Sequence, residues 1–422
     1  MVLCGIDQSP SRHVNPLMNA LLPKTSTLLL IASLCGFGLA QATIDPTPRA
    51  LALSEGLANK TLKQQLQSCA TQAFYPTDFA IAHRGAPLGY PEHSREGYIA
   101  AAEQGAGIIE CDVTFTKDLE LVCRHSQCDL ATTTNILQTP LAAKCSTPFQ
   151  PANKSRRAGA TCCTSDITLS EFQTLCARPD RSNPKAKTLQ AFLLPLESPV
   201  VTNPLACGTL MTHAESIELI DELGGKFTPE LKRPAVSMPF APGFTQAAYA
   251  DKLIAEYQAA GIDPNRVYPQ SFNVDDVWHW IESHPTFADQ AVWLDPRGRS
   301  RNFSSSQADF EALRAQGLRI ISPPLPMLLS LNNEGTIVPS DYARQAKAAG
   351  LEIITWTFEA GDPTAAENWM YAPIHSAMTS PSETLQVLHV LAKDIGVRGI
   401  FSNWPGTITY YANCMMPPQG LD

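Results

Sequence analysis

Residues 81–94 read IAHRGAPLGYPEHS and residues 107–126 read GIIECDVTFTKDLELVCRHS. Within this span two histidines (His83, His125), an arginine (Arg84) and three carboxylates (Glu92, Glu110, Asp112) sit at the ends of short apolar runs. Ile81–Ala82, Ile108–Val113 and Leu119–Cys123 read as buried strands. The first stops at Gly85 and the third runs into His125, which predicts that the polar groups face one cavity. Singly, each has a plainer reading: a surface histidine beside an arginine, or the exposed face of an edge strand. Glu110 and Asp112 are two apart, however, so on a strand they share one face. Two adjacent carboxylates repel unless a cation or basic group neutralises them. Together the groups describe a metal-dependent phosphate site.

Outward from this stretch, from Asp78 onward, short apolar runs alternate with amphipathic helices, the pattern of βα units around a parallel sheet. The runs are Phe79–His83, Ile108–Val113, Lys226–Leu231, Val267–Phe272, Ala291–Leu294, Leu318–Ile321, Leu351–Thr357 and Gly399–Ser402. Helical spacing of apolar residues marks 94–104, 246–260, 274–283, 306–316, 340–349 and 381–395. The fold class is α/β: a TIM (β/α)8 barrel over residues 78–412 with a C-terminal tail over 413–422. The exception to the alternation is 126–212, rich in Cys, Pro and Ser/Thr, a Cys-rich insertion after the second strand and its hairpin. A connection of that length is a functional loop or a small subdomain. Because it leaves from the strand carrying His125, it is expected over the barrel mouth.

A chain of 422 residues buries a sizeable core, and its net charge of −9 with no basic run argues against nucleic acid as a partner. Residues 1–42 read as a secretory signal peptide: Lys24 precedes an apolar run over 28–39 that ends in Ala40-Gln41-Ala42, and Met18 offers an alternative start. That run is too short for a spanning helix, so no transmembrane segment is expected in the mature chain, which is read as secreted, extracellular or periplasmic. Residues 43–77 are a polar, partly helical N-terminal extension. Of 12 cysteines, those at 4 and 35 leave with the leader. The remaining even number in an exported chain suggests disulfides, and six of them fall between 128 and 207. Zinc is the rival reading, but no paired Cys spacing supports it. Cys111, inside a strand, is read as simply buried. Asn59, Asn153 and Asn302 begin glycosylation sequons.

A barrel places its site at the carboxyl ends of its strands, where His83, Arg84, Glu110 and Asp112 fall, with His125 after the hairpin. Glu230 and Lys232, in FTPELKRP, repeat the two-residue spacing on the third strand. Three carboxylates without a Cys or His cluster favour a hard cation, one divalent Mg2+ or Ca2+. Arg84 and Lys232 suit the non-bridging oxygens of a phosphodiester. Two imidazoles divide the proton work, and the sequence leaves open which is acid and which base.

The segments HRG, PEHS, IECDVTFTKDLELVCRH, PELK, QSF, TWTF and GIFSNWP, in this order from His83 to Pro405, resemble the glycerophosphodiester phosphodiesterase family. The resemblance implies a TIM barrel, a bound divalent cation, and hydrolysis of small-molecule glycerophosphodiesters to glycerol 3-phosphate and an alcohol through a cyclic phosphate intermediate. It implies catalytic roles for His83 and His125, metal ligation by Glu110, Asp112 and Glu230, and phosphate binding by Arg84 and Lys232. It also implies that the insertion covers the glycerol end of the substrate. Alternatives are a phospholipase D-like lyase that releases a cyclic phosphate, and a non-catalytic extracellular binding domain. His93 and Ser94 stand where the family usually has Asn and Thr, and Asn403 where Asp is common. These positions are expected beside the site, altering fine specificity. Glu92 is read as a support for Arg84. Phe272, Trp356 and Trp404 are candidates for the pocket wall, although an aromatic at a strand end is as often core. His213, His279, His284 and His375 are read as packing or surface histidines without a chemical task.

Overall fold

The computed structural model describes residues 45–194, 205, 207–299 and 303–416, so the leader expected over 1–42 and the sequon at Asn302 lie outside the described residues. The main strands, in chain order, are β1 (Thr77–Ala82), β2 (Ala106–Phe115), β3 (Leu121–Cys123), β4 (Lys226–Leu231), β5 (Gln270–Ser271), β6 (Val292–Leu294), β7 (Ile320–Ser322), β8 (Glu352–Phe358) and β9 (Gly399–Ser402). Among the described residues, eight of them pair in parallel in the order β1-β9-β8-β7-β6-β5-β4-β2, and pairing of β1 with β2 closes the ring. This is the TIM-type barrel the alternation predicts. β3 folds back antiparallel on the end of β2, with Val113 opposite Cys123. At the closure a side chain on Gly107 would meet the Thr77 backbone at 2.5 Å, so only glycine fits there.

Most strand ends fall within two residues of the sequence reading, and the exception has a covalent cause. The run Val267–Phe272 forms a ladder only at Gln270–Ser271, with Val267 in an isolated bridge to Phe227. Pro269 lies between them and has no N–H to donate, so the ladder breaks there. Among the described residues, two α-helices of at least ten residues lie outside the segments that the sequence marks as helical. His213–Glu222 starts with a capping box in which Thr212 and Glu215 satisfy each other's backbone. Pro405–Met415 starts on a proline, whose fixed φ suits a first helical turn. This last helix passes through position 412, where a tail was expected to begin, because its buried face, including Ile408, Tyr410 and Tyr411, still packs on the core.

Inside the barrel Ile81, Ile108, Tyr268, Val292, Ile320, Ile354 and Phe401 form one apolar cluster. The alternate residues of the same strands, such as Ile109, Cys111 and Val113 on β2, face the helical shell. Period-two alternation therefore fixes what lies above the inner cluster: Glu110 and Asp112 continue the face of Ile108, and His83 continues that of Ile81.

The 126–212 insertion has a core of its own, including Leu130, Ile136, Phe172, Phe192 and Leu210. Disulfides Cys128–Cys163, Cys145–Cys162 and Cys176–Cys207 staple it. A piece this small buries too little apolar surface to be held by its core alone, so covalent staples suit it. Cys111 departs from its reading: it is bonded to Cys123, because antiparallel β2 and β3 bring the two Cα atoms to 5.3 Å.

Within the N-terminal extension, helices Thr47–Glu55 and Lys60–Ser68 pack against the last helix, and Cys69 is bonded to Cys414 across 345 residues. The double substitution Cys69→Ser with Cys414→Ser should cost about 2–5 kcal/mol of stability. Chemical denaturation measures it, and an unchanged midpoint would count against this bond as a stabilising element.

Candidate active site

A cavity of about 470 Å³ opens at the carboxyl ends of the strands. It is lined by His83, Arg84, Glu92, Glu110, Asp112, His125, Glu230 and Lys232, so the sequence-selected ionisable groups do converge. Phe272 and Trp356 line it too, meeting edge to face at 5.6 Å between ring centroids. Trp404 departs from its expected place. It precedes the last helix and lines a separate groove with Pro46, Arg49 and Gln104, against the N-terminal extension.

The HRG turn is built for this position. Arg84 and Gly85 both have positive φ, 57° and 92°. A Cβ on Gly85 would meet the Gly97 backbone at 2.9 Å, so glycine is required. The left-handed turn lets the Arg84 backbone N–H donate to Glu110 Oε2 (2.8 Å) while its side chain reaches Glu92 Oε2 (2.9 Å). Backbone strain of this kind persists where surrounding structure fixes it, typically at functional sites. Glu92 thus supports Arg84, and the buried Arg124 guanidinium in turn holds the Glu92 carbonyl. Burial opposes its charge, but Arg84 and Arg124 hold the Glu92 carboxyl down at about 2.

Glu110, Asp112 and Glu230 are buried and offer carboxylate oxygens within 4.8 Å of one another. Burial, with Asp112 and Glu230 adjacent, pushes Glu110 well above the usual carboxylate range. Burial pushes Glu230 up to about 8 against the pull of Lys232 at 2.7 Å, with Asp112 adding to it. Burial would raise Asp112 too, yet Lys232 and His93 hold it well below the usual range. Asp112 Oδ1 accepts no hydrogen bond and lies 3.6 Å from Lys232 Nζ. Crowded carboxylates with an unsatisfied buried oxygen fit a hard divalent cation, which these three residues could hold. A further donor set, Glu92, His125 and Asp129, shares the same 4.8 Å spacing, but there Glu92 is already engaged by Arg84.

Two residues expected beside the site touch it directly. His93 is fully buried; its Nε2 meets Asp112 Oδ2 at 2.8 Å and its Nδ1 meets the Tyr98 hydroxyl at 3.0 Å. Asn403 Oδ1 lies 2.6 Å from His83 Nδ1. Because Asn403 Nδ2 donates to the Glu359 carbonyl at 3.3 Å, the amide oxygen is the atom facing the ring. His83 Nδ1 must then carry the hydrogen, and its Nε2 keeps a lone pair. Burial and the Arg84 charge lower His83 from 6.5 to about 3; burial, Lys232 and Arg84 lower His125 to about 3. Both imidazoles are neutral at pH 7.

The cavity is also lined or braced by residues given no role in the sequence reading. Pro179, Asp180 and Arg181 enter its wall from the insertion, which therefore does reach the barrel mouth. Gln270 Nε2 donates to Glu110 Oε1 at 3.0 Å and orients that carboxylate. From the N-terminal extension, Arg49 pairs with buried Glu359 at 2.7 Å and steadies the segment that holds Asn403. Among the described residues no helix is long and apolar enough to cross a membrane.

Comparison with known proteins gives a consistent picture. Residues 83–407 match the glycerophosphoryl diester phosphodiesterase family. A protein of Arthroderma benhamiae described as an extracellular protein is 40% identical over 243 residues, covering 56% of this chain and 98% of its own. A glycerophosphodiester phosphodiesterase of Arabidopsis thaliana is 23% identical over 366 residues, covering 81% of this chain and 88% of its own. Among solved structures, a candidate glycerophosphoryl diester phosphodiesterase from Silicibacter pomeroyi superposes with a TM-score of 0.54 at 18% identity, covering 83% of this chain and 98% of its own. At that identity the likeness speaks for the fold.

Proposed function

Since the chain belongs to the glycerophosphoryl diester phosphodiesterase family, we propose that it hydrolyses glycerophosphodiesters to glycerol 3-phosphate and an alcohol, using one divalent cation, Mg2+ or Ca2+. The observation that carries this reading is the convergence of His83 and His125 on a cavity holding three mutually crowded carboxylates, flanked by Arg84 and Lys232. Glu110, Asp112 and Glu230 are the proposed ligands. When bound, the cation supplies charge stabilisation at the phosphoryl oxygens.

The remaining chemistry belongs to side chains of this chain. Arg84 Nε has no hydrogen-bond partner, and Arg84 and Lys232 approach different oxygens of the Asp112 carboxylate, each at 3.6 Å, so the two side chains can hold the non-bridging oxygens. With its Nδ1 committed to Asn403, His83 presents Nε2 as the base that takes the proton from the attacking glycerol hydroxyl. That oxygen bonds to phosphorus, the bond from phosphorus to the alcohol oxygen breaks, and His125, which takes up a proton when the negative phosphodiester binds beside it, protonates the departing alkoxide. Water then bonds to phosphorus and gives its proton to His125, while the ring bond from phosphorus to the glycerol oxygen breaks and that oxygen takes the proton held by His83. Because the attacking hydroxyl belongs to the substrate, proximity replaces a protein nucleophile. Pro179, Asp180 and Arg181 support a role for the insertion in closing over the substrate.

Purified mature protein given glycerophosphocholine or glycerophosphoethanolamine with Mg2+ or Ca2+ should release glycerol 3-phosphate. Accumulation of cyclic glycerophosphate instead would mark a lyase, and no release from any glycerophosphodiester would overturn the enzymatic reading. Export from the cell is also proposed, supported by five disulfides among the described residues and by the relative described as extracellular.

The Asn403 contact gives a pH prediction. In Asn403→Asp a carboxylate would face the His83 ring and favour its charged form, opposing Arg84 and His125 and reinforcing Asp112. The pKa of His83 rises, so the base is lost at a higher pH, and the acid limb of the kcat/KM profile should move up by about 1–3 units. An unmoved limb would remove His83 as the base.

A further inference from the structure

On the outer shell of the barrel, away from the catalytic cavity, three donor groups meet: Asp251 on the helix Gln246–Ala259, His279 on the helix Val274–Ser283, and His284 at the end of that helix. His279 Nε2 lies 2.6 Å and His284 Nε2 2.8 Å from the same oxygen, Asp251 Oδ1. Five residues apart on a continuing helix, two side chains would diverge by about 140°. They converge because the chain leaves the helix at His284, with φ −127° and ψ 65°. The two rings stand nearly perpendicular, 75° apart with centroids at 6.0 Å, so their nitrogens point inward on a common centre.

The geometry points to a second metal site, for a borderline divalent transition ion such as Zn2+, held by Asp251, His279 and His284. The donor chemistry differs from that of the cavity. Two imidazole nitrogens and one carboxylate oxygen favour Zn2+, Cu2+ or Ni2+, whereas the three buried carboxylates of the active site favour Mg2+ or Ca2+. A tetrahedral ion with bonds of about 2.0–2.1 Å needs donor atoms roughly 3.3 Å apart. The present spacings of 2.6 and 2.8 Å fall short of that by about 0.5–0.7 Å, a gap that small side-chain rotations close. All three side chains have room and access, being 48%, 26% and 17% exposed. Without metal, each Nε2 donates its hydrogen to Asp251; on metal capture that hydrogen moves to Nδ1, leaving each imidazole neutral. Three protein ligands leave a fourth position for water, and the ion ties one shell helix to the next.

The test uses Zn2+ alone as the probe on the mature protein. Isothermal titration should find one more equivalent bound by the unaltered chain than by His279→Ala/His284→Ala, and Zn2+ should raise the Tm of the former by more. Circular dichroism without metal checks that the variant folds. Asp251→Asn, which leaves both rings in place, should bind the extra equivalent more weakly. Cu2+ added to chain whose active site is saturated with Mg2+ should give an electron paramagnetic resonance spectrum with coupling to two imidazole nitrogens, lost in the double variant. Equal stoichiometry in the unaltered chain and the double variant, or a copper spectrum without the two-nitrogen pattern, would reduce the cluster to a hydrogen-bonded clasp and overturn the site.

Discussion

His83→Ala and His125→Ala are each expected to lower kcat about 10²–10⁴-fold while leaving the fold intact, the range that a positioned acid or base contributes. The apolar cluster beneath the two rings is made of other side chains, and His83 meets it edge to face at Phe401, with 6.3 Å between ring centroids. The two substitutions should not multiply, because attack and departure share one transition state and act as a unit. They should differ in leaving-group dependence. An ester of a good leaving group, such as a nitrophenol, needs little help from an acid, so His125→Ala should recover much of its rate on it. His83→Ala should stay slow on both substrates. Steady-state kinetics on the alkyl and aryl esters give the comparison, and equal recovery by both variants would reverse or dissolve the assignment of base and acid.

Removal of divalent cations should depress turnover by about 10³-fold or more, the rate equivalent of several kcal/mol of lost charge stabilisation. Activity should return on adding Mg2+ or Ca2+ after EDTA. Asp112→Asn should resist that rescue. Asp112 is the junction of the site, 2.8 Å from His93 Nε2 and 3.6 Å from both Arg84 Nε and Lys232 Nζ. Its loss would remove a proposed ligand and leave those basic groups without their counter-charge. Full rescue of Asp112→Asn at ordinary cation concentrations would take it out of the ligand set.

How far the sequence anticipates this site follows from what each residue answers to. Glu110 with Asp112, and Glu230 with Lys232, are legible because strand alternation needs only a spacing of two. β4 and β9 are legible to the residue because turn formers bound them. The contacts of His93 and Asn403 are not, since they depend on a left-handed backbone at His93 and on the meeting of β1 and β9, 320 residues apart. The Cys111–Cys123 bond follows from hairpin register, a product of folding with no composition signal. Asp180 and Arg181 reach the cavity through the folding of the insertion, which its own core and three disulfides hold together and which no local spacing announces. His279 and His284 look like unrelated surface residues at a spacing of five until the helix end turns them together.

The bond between Cys69 and Cys414 also decides what a cut would do. Because it joins the chain near both ends, residues 69–414 form a closed covalent ring. A single peptide cleavage anywhere within that ring opens it but releases no fragment. A protease that nicks an exposed turn, such as the one around Asn333 and Glu334, which no other disulfide among the described residues spans, would leave the two halves tethered beside an undisturbed cavity. On a gel such a chain runs whole until a reductant is added and only then falls into two pieces.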